Sequence, residues 1–213
     1  MTPDDLLDRG GRRPGTLAAE PTTSDWPGTA IVRPQLVGWV LLLASLAGFA
    51  ASFILAVEKY WLLTNPFYQP SCSVNETISC GPIMTSDQAA VLGFPNPYLG
   101  IAGFAIVAAT GAMLLAGARL ARWYGVGLVI GSSLGALFVF WLIGQSLFVI
   151  KALCPYCMVV WAATLTTLWY STLAMAGTPP SRSRWWPLRH PGTALAGLLT
   201  AIGILVACVA STF

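Results

Sequence analysis

The sequence predicts an all-α membrane protein with five transmembrane helices. Of its 213 residues, 56% are hydrophobic and 9% are charged, about a third of the charged share of an ordinary soluble domain. Five stretches contain no Asp, Glu, Lys or Arg and are long enough to cross a hydrocarbon layer of about 30 Å as helices. A chain of this composition is solvated mainly by lipid.

The five charge-free stretches define the predicted helices. They cover 35–57, 98–118, 126–150, 153–176 and 192–211. Unpaired backbone groups are costly in lipid, so each stretch is expected to be helical, and the lengths do not suit the strands of a β-barrel. Residues 1–33 are polar and rich in Pro, Gly and Thr, and we expect a disordered cytoplasmic tail there. Residues 178–213 should form a cytoplasmic loop and the fifth helix.

The basic residues predict the orientation. Nine of the eleven lie before the first helix, between the second and third, or between the fourth and fifth, and only Lys59 and Lys151 lie on the other side. This bias places the N-terminus in the cytoplasm and the segment 58–97 outside the cell membrane, at its external (periplasmic) face. The net charge of +3 then belongs to loops near anionic lipid, and we expect no nucleic-acid partner. The nine residues are Arg9, Arg12, Arg13, Arg33, Arg119, Arg122, Arg182, Arg184 and Arg189.

Four of the five cysteines gather at the predicted external face. Cys72 and Cys80 lie in the loop, and Cys154 and Cys157 lie at the start of the fourth helix, in a compartment where disulfides persist. By themselves, Cys72 and Cys80 would most often form a structural disulfide. The remaining cysteine, Cys208, is interpreted as a packing or lipid-facing residue.

The segment Cys-Pro-Tyr-Cys, residues 154–157, suggests redox chemistry. A cysteine followed by Pro155 at the first helical position faces unpaired N–H groups and the positive end of the helix dipole, which favour the thiolate. A pair so close in sequence can open and close as a disulfide with little backbone movement. The alternative is a zinc site shared with Cys72 and Cys80, but an oxidising compartment is a poor place to keep four thiols reduced, so we expect no metal.

Turnover of these cysteines needs an electron acceptor or donor. The glycine-rich stretch at 125–131 lacks the spacing of a dinucleotide-binding loop, and we expect its glycines to permit close helix packing. His190 lies in a predicted cytoplasmic loop, which argues against haem at the outer face. A quinone that arrives through the bilayer fits what remains.

After Cys80 the sequence reads "CGPIMTSDQAAVLGFPNPYLG", and a CxxC lies at the start of the fourth predicted helix. This combination of a loop cysteine, a Ser six residues on, a Pro-Asn segment and a CxxC resembles the vitamin K epoxide reductase family. The matching residues are Cys80, Ser86, Asn96 and the pair Cys154 and Cys157, with Cys72 as the upstream loop cysteine. The resemblance spans about 35–176.

The resemblance implies a catalytic four-helix bundle over 34–177, with a half-helix at about 84–94 as part of a lid. It implies a thiol:quinone oxidoreductase that reoxidises a secreted or membrane-tethered thioredoxin-fold disulfide oxidase, with a quinone of the menaquinone or ubiquinone type. Cys157 would face the quinone and Cys154 would exchange with the loop pair; which loop cysteine meets Cys154 stays open.

Several alternatives remain at the level of sequence. Ser86 could cap the half-helix or contact the quinone, and Asn96 could cap the second long helix or bind a quinone carbonyl. Electrons could run the other way, to reduce a quinone or its epoxide. The chain could also be a non-enzymatic scaffold or transporter with structural disulfides, although no predicted helix contains the acidic residue that transporters usually bury.

Overall fold

The computed structural model describes residues 25–26, 33–65, 67–73, 78–176 and 191–210, and most of them are helical. In chain order the helices are α1 (Pro34–Thr64), α2 (Gly81–Thr85), α3 (Pro97–Leu115), α4 (Arg122–Gly144), α5 (Pro155–Met175) and α6 (Pro191–Ala210). A 3-10 helix covers Asp87–Ala90, and a π-helical segment, Gln145–Ile150, continues α4.

Four helices are long and apolar enough to cross a membrane, and they match the first four predicted spans. They are Pro34–Thr64, Pro97–Leu115, Arg122–Ile150 and Pro155–Met175, which confirms an all-α membrane protein. Helix α6 takes the predicted place of the fifth span, but its apolar stretch, Leu195–Cys208, is shorter, so a fifth crossing stays a prediction. The orientation also stays a prediction, since six of its basic residues lie outside the described residues: Arg9, Arg12, Arg13, Arg182, Arg184 and Arg189.

Helix α1 is longer than its charge-free run. It continues to Thr64 and therefore contains Glu58 and Lys59. Glu58 is 5% exposed, so the expectation that no helix contains an acidic residue is wrong. The loop that follows α1 supplies hydrogen bonds to this carboxylate, and a buried charge with such partners does not have to end a helix.

Close packing holds α1 against its neighbours. It runs along α3 and α5, and α4 packs on α5. Glycines let α1 and α3 approach each other: a Cβ added at Gly48 would lie 2.5 Å from the ring of Phe104, and one at Gly111 would lie 2.7 Å from the backbone nitrogen of Leu42. In lipid, helices associate through such small-residue contacts.

Helices α3 and α4 follow each other in the chain but share no extended contact within the described residues. Their hydroxyls on Thr110 and Tyr124 lie 2.6 Å apart. Because the Thr110 hydroxyl donates to the carbonyl of Ile106, Tyr124 is the donor in this pair. Elsewhere the space between the two helices is backed by α5 and forms a cavity.

The predicted half-helix at 84–94 is wrong in its bounds. Helix α2 begins directly after Cys80 and ends at Thr85, and the 3-10 helix follows it. Ser86 separates the two with an extended backbone (φ −70°, ψ 153°). After the 3-10 helix the chain turns through Gly93, whose φ of 83° is a conformation that glycine adopts without steric cost.

A two-stranded sheet joins the N-terminal segment to the start of α4. Strand β1 (Asp25–Trp26) pairs antiparallel with β2 (Leu120–Ala121). These two residues form a strand within 1–33, where the sequence predicts a disordered tail. Residues 1–24 and 27–32 lie outside the described part of the chain, as does the predicted loop at 178–190.

Candidate active site

Three cysteine sulfurs lie together where α1 ends and α5 begins. Cys72 and Cys80 form a disulfide with Cα atoms 5.8 Å apart. The sulfur of Cys80 lies 2.9 Å from that of Cys154, and all three sulfurs lie within 4.8 Å of one another. Cys80 and Cys154 are fully buried and Cys72 is 5% exposed. The loop pair is thus packed against the CxxC pair.

A short backbone contact places Cys80 beside Cys154. Ile78 forms a parallel β-bridge with Leu153, and the N–H of Ser79 donates to the Leu153 carbonyl at 3.1 Å. Cys80 follows Ile78 by two positions and Cys154 directly follows Leu153, so the bridge brings the two sulfurs together. A bridge this short leaves no pattern in the sequence.

Cys154 is the N-cap of α5, and Pro155 lies in its first turn, as predicted. The Cys154 sulfur accepts a hydrogen bond from the Cys157 N–H at 3.4 Å. The hydrogen bond from the Cys157 side chain, aided by the N–H groups of Cys157 and Tyr156, lowers the pKa of Cys154 despite burial and the nearby carboxylate of Glu58. A lower pKa makes Cys154 a good leaving group in disulfide exchange.

A cavity of about 560 Å³ lies beside the CxxC pair, between α3, α4 and α5. Cys157 lines it, whereas Cys72, Cys80 and Cys154 do not. The cavity follows α4 and its π-helical end from Trp123 to Ile150, a helical length of about 40 Å. Its volume is typical of a small-molecule site. Its apolar wall includes Phe104, Val107, Leu128, Phe138, Val139, Leu142, Val160 and Trp161.

Ser86 and Asn96 both line this cavity. Each occupies an N-cap position, but neither side chain caps its helix, so the capping alternative is wrong for both. The Ser86 hydroxyl donates back to the Ile83 carbonyl at 2.7 Å. The Asn96 amide donates to the Gln88 carbonyl at 2.6 Å and accepts from the Val91 N–H at 3.3 Å. Both residues brace the loop beside the cavity.

The sequence predicts that the glycines at 125–131 permit close helix packing, and Gly127 and Gly131 do not. A Cβ added at Gly127 or Gly131 would meet no atom within 4 Å, and both residues line the cavity. They widen the space along α4. The close packing predicted for them occurs instead at Gly48 and Gly111 in α1 and α3.

Sequence reasoning missed Glu58, which lies beside the loop disulfide. Its Oε2 is 3.5 Å from the sulfur of Cys72. One signal was present: the apolar residues Trp61, Leu62 and Leu63 follow the carboxylate, which is consistent with a helix that continues beyond it. The charge alone predicts that the helix ends before Glu58.

The sulfur cluster has the chemistry of exchange. Three sulfurs so close could ligate a metal by their spacing, but Cys72 and Cys80 are bonded to each other, while Cys154 and Cys157 are thiols. A disulfide in contact with a thiol is the arrangement that precedes or follows transfer of a disulfide from one pair to the other.

Comparison with known families gives a match over more than half of the chain. The model of the vitamin K epoxide reductase family matches residues 39–172, well over half of the 213 residues. No curated protein matches the chain. The matched range contains both cysteine pairs and every cavity-lining residue named above. The chain therefore belongs to the vitamin K epoxide reductase family, and this membership, together with the disulfide and the apolar helices, indicates a membrane redox function.

Proposed function

We propose that the protein is a thiol:quinone oxidoreductase that reoxidises a secreted or membrane-tethered thioredoxin-fold disulfide oxidase. One observation carries the proposal: an oxidised loop pair touches a reduced CxxC pair through Cys80 and Cys154, and the second CxxC cysteine, Cys157, lines an apolar cavity. The three parts give a continuous route from a protein partner to a lipid-soluble acceptor.

Electrons enter at the loop pair. A partner dithiol reduces the Cys72–Cys80 disulfide and leaves as a disulfide, so two thiols remain in the loop. The Cys80 thiolate then attacks Cys154 in the Cys154–Cys157 disulfide, and Cys157 leaves. Cys72 attacks Cys80 in the resulting mixed disulfide and releases Cys154. The products are a loop disulfide and two CxxC thiols, the redox state of the structure.

In the final step Cys154 and Cys157 close to a disulfide and give up two electrons and two protons. A quinone of the menaquinone or ubiquinone type supplies the two-electron acceptor. The site suits such a molecule because its walls are mainly apolar, Cys157 lies on them, and the space between α3 and α4 leads along the bundle. Ser86 and Asn96 are the polar groups we assign to the headgroup.

The partner is assigned to the external face. Arg119 and Arg122 lie at the end of α4 away from the cysteines, and the basic residues of the sequence favour that end as cytoplasmic. A membrane-impermeant thiol reagent should then label reduced Cys72 and Cys80 in intact cells. Labelling only after permeabilisation would contradict this orientation.

The test of the proposal measures quinone reduction by the purified protein in detergent with a reduced thioredoxin-fold protein as donor. The wild type should turn over, and Cys157→Ala should not. In Cys154→Ala the Cys157 thiolate has no disulfide partner, so added quinone should give a visible charge-transfer absorption that disappears when Cys157→Ala is also introduced. Quinone reduction at full rate in Cys157→Ala would refute the assignment.

A further inference from the structure

Glu58 is a buried carboxylate that the electron path above does not use. It lies in the part of α1 that the loop covers, and it is 5% exposed. Its Oε1 accepts hydrogen bonds from the backbone N–H of Ser71, at 3.1 Å, and from the Ser71 hydroxyl. The Ser71 oxygen in turn lies 3.3 Å from the Tyr156 hydroxyl, which therefore donates to it. Two donors from Ser71 thus fix the orientation of the carboxyl group, and Tyr156 holds the Ser71 hydroxyl in place.

The other oxygen of Glu58 faces a reacting atom. Oε2 lies 3.5 Å from the Cys72 sulfur, the sulfur that must gain or lose a proton whenever the loop disulfide opens or closes. The neighbouring cation does not neutralise the carboxylate, because Lys59 donates to the Met84 carbonyl on α2. Cys72 carries no proton while the disulfide is closed, so within the described residues Oε2 has no hydrogen-bond donor and remains open to the proton that Cys72 carries once the disulfide is reduced.

We propose that Glu58 is the general base of the internal exchange and accepts the thiol proton of Cys72. The inference rests on the proposed function. When Cys72 attacks Cys80 in the Cys80–Cys154 mixed disulfide, the Cys72–Cys80 bond forms and the Cys80–Cys154 bond breaks. The proton of Cys72 moves to Oε2, and the electron pair of the broken bond stays on Cys154. In the reverse direction Glu58 returns the proton to Cys72.

The charges in this step move in compensating directions. The Glu58 carboxylate disfavours negative charge on Cys154. When Glu58 takes the proton it becomes neutral, and this repulsion is lost at the moment that Cys154 leaves as a thiolate. The same proton transfer therefore activates the attacking sulfur and favours the leaving one.

The test replaces Glu58 by Gln, which keeps an oxygen that can accept from Ser71 but cannot take a proton. Without the base, Cys72 depends on its own ionisation. At pH 6.5, two units below the ordinary thiol pKa of about 8.5, about 1% of a thiol is ionised. Protein-dithiol-driven quinone reduction in Glu58→Gln should be about 100-fold slower than in the wild type at pH 6.5 and should approach the wild-type rate near pH 9.

Two controls separate this role from a structural one. Asp87→Asn makes the same change at an exposed carboxylate in the same loop and should leave the rate ratio near one at every pH. Glu58→Gln added to the variant Cys72→Ala/Cys80→Ala should leave dithiothreitol-driven quinone reduction unchanged, because the exchange step that Glu58 serves is absent there. The other ionisable groups around Glu58 are Lys59, Cys72, Cys80, Cys154 and Tyr156, and all are the same in both proteins.

The ratio of variant to wild-type rate decides the result. A ratio near one at pH 6.5, or a reduced ratio that stays constant up to pH 9, overturns the role of Glu58 while the proposed function stands. A wild type that fails to couple the protein dithiol to quinone overturns both. A ratio that rises with pH, with dithiothreitol activity intact, supports the general base.

Discussion

Replacing both loop cysteines by Ala separates a redox relay from a structural disulfide. The bond links residues 8 positions apart. Its loss should lower the free energy of unfolding by about 2.5 kcal/mol, because the unfolded chain gains conformational entropy. Because both sulfurs are buried, the smaller side chains should cost about 1 kcal/mol more in lost packing. The Cys72→Ala/Cys80→Ala protein should therefore melt at a lower temperature but still fold.

The two accounts differ in what happens to activity. A relay predicts that quinone reduction by a protein dithiol falls below detection, because no loop pair accepts its electrons. Reduction by dithiothreitol should persist, because a small dithiol reaches Cys154 directly and the loop above it is less tightly held. The assay follows quinone absorbance with each donor at a temperature well below the melting transition, with the single variant Cys208→Ser as the control for loss of a cysteine.

The ratio of the two rates is the readout. A collapse of the protein-dithiol rate relative to the dithiothreitol rate supports the relay. An unchanged ratio, with both rates falling together as the melting temperature falls, would refute it and leave the disulfide a purely structural role.

Three further predictions concern the bundle, the thiol and the cavity. Gly111→Ala should destabilise the protein by about 1–3 kcal/mol, since its Cβ would lie 2.7 Å from a backbone nitrogen, whereas Gly127→Ala, with no atom within 4 Å, should be neutral in thermal melts; equal melting temperatures would contradict the packing described. In the variant Cys72→Ala/Cys80→Ala/Cys208→Ser, which keeps only the two CxxC thiols, the lowered pKa of Cys154 should keep its alkylation fast below the ordinary thiol range, and adding Cys157→Ala should move the rate profile to higher pH while adding Cys157→Ser moves it less; a shift to lower pH would show that Cys157 does not stabilise the thiolate. Gly131→Leu should raise the KM for a long-chain quinone more than that for a short-chain one, because Gly131 lines the cavity in the first half of α4, whereas the π-helical segment that leads to the CxxC follows the end of α4; equal effects would place the isoprenoid chain of the quinone elsewhere, and Gly203→Leu, on α6, is the control.

Much of the fold follows from the distribution of charge. Charge-free runs identify four helices to within a few residues at most ends, because burying ionised groups in lipid is costly. The rule fails at the end of α1, where Glu58 is buried against the loop and not against lipid. The positions of charges along the chain do not show that the loop folds over this end of the helix and shields the carboxylate from lipid.

The sequence predicts which cysteines form the candidate site better than it predicts which of them are in contact. The spacing of the cysteines indicates two pairs at one face, and the proline after Cys154 indicates an N-cap, which the structure has. The choice of Cys80 over Cys72 as the neighbour of Cys154 depends on the bridge between Ile78 and Leu153, a tertiary contact without a local signature. Likewise, glycines that line a cavity and glycines that permit close packing look the same in a sequence.

The most direct test of the account is to trap the internal mixed disulfide. The variant Cys72→Ala/Cys157→Ala keeps Cys80 and Cys154, whose sulfurs lie 2.9 Å apart, and removes the cysteine that would resolve each. After mild oxidation, peptide mapping by mass spectrometry should find Cys80 linked to Cys154 in most molecules, and faster than Cys72 becomes linked to Cys154 in the matched variant Cys80→Ala/Cys157→Ala. Absence of the Cys80–Cys154 bond, or faster formation of the Cys72–Cys154 bond, would contradict the proposed transfer between the two pairs.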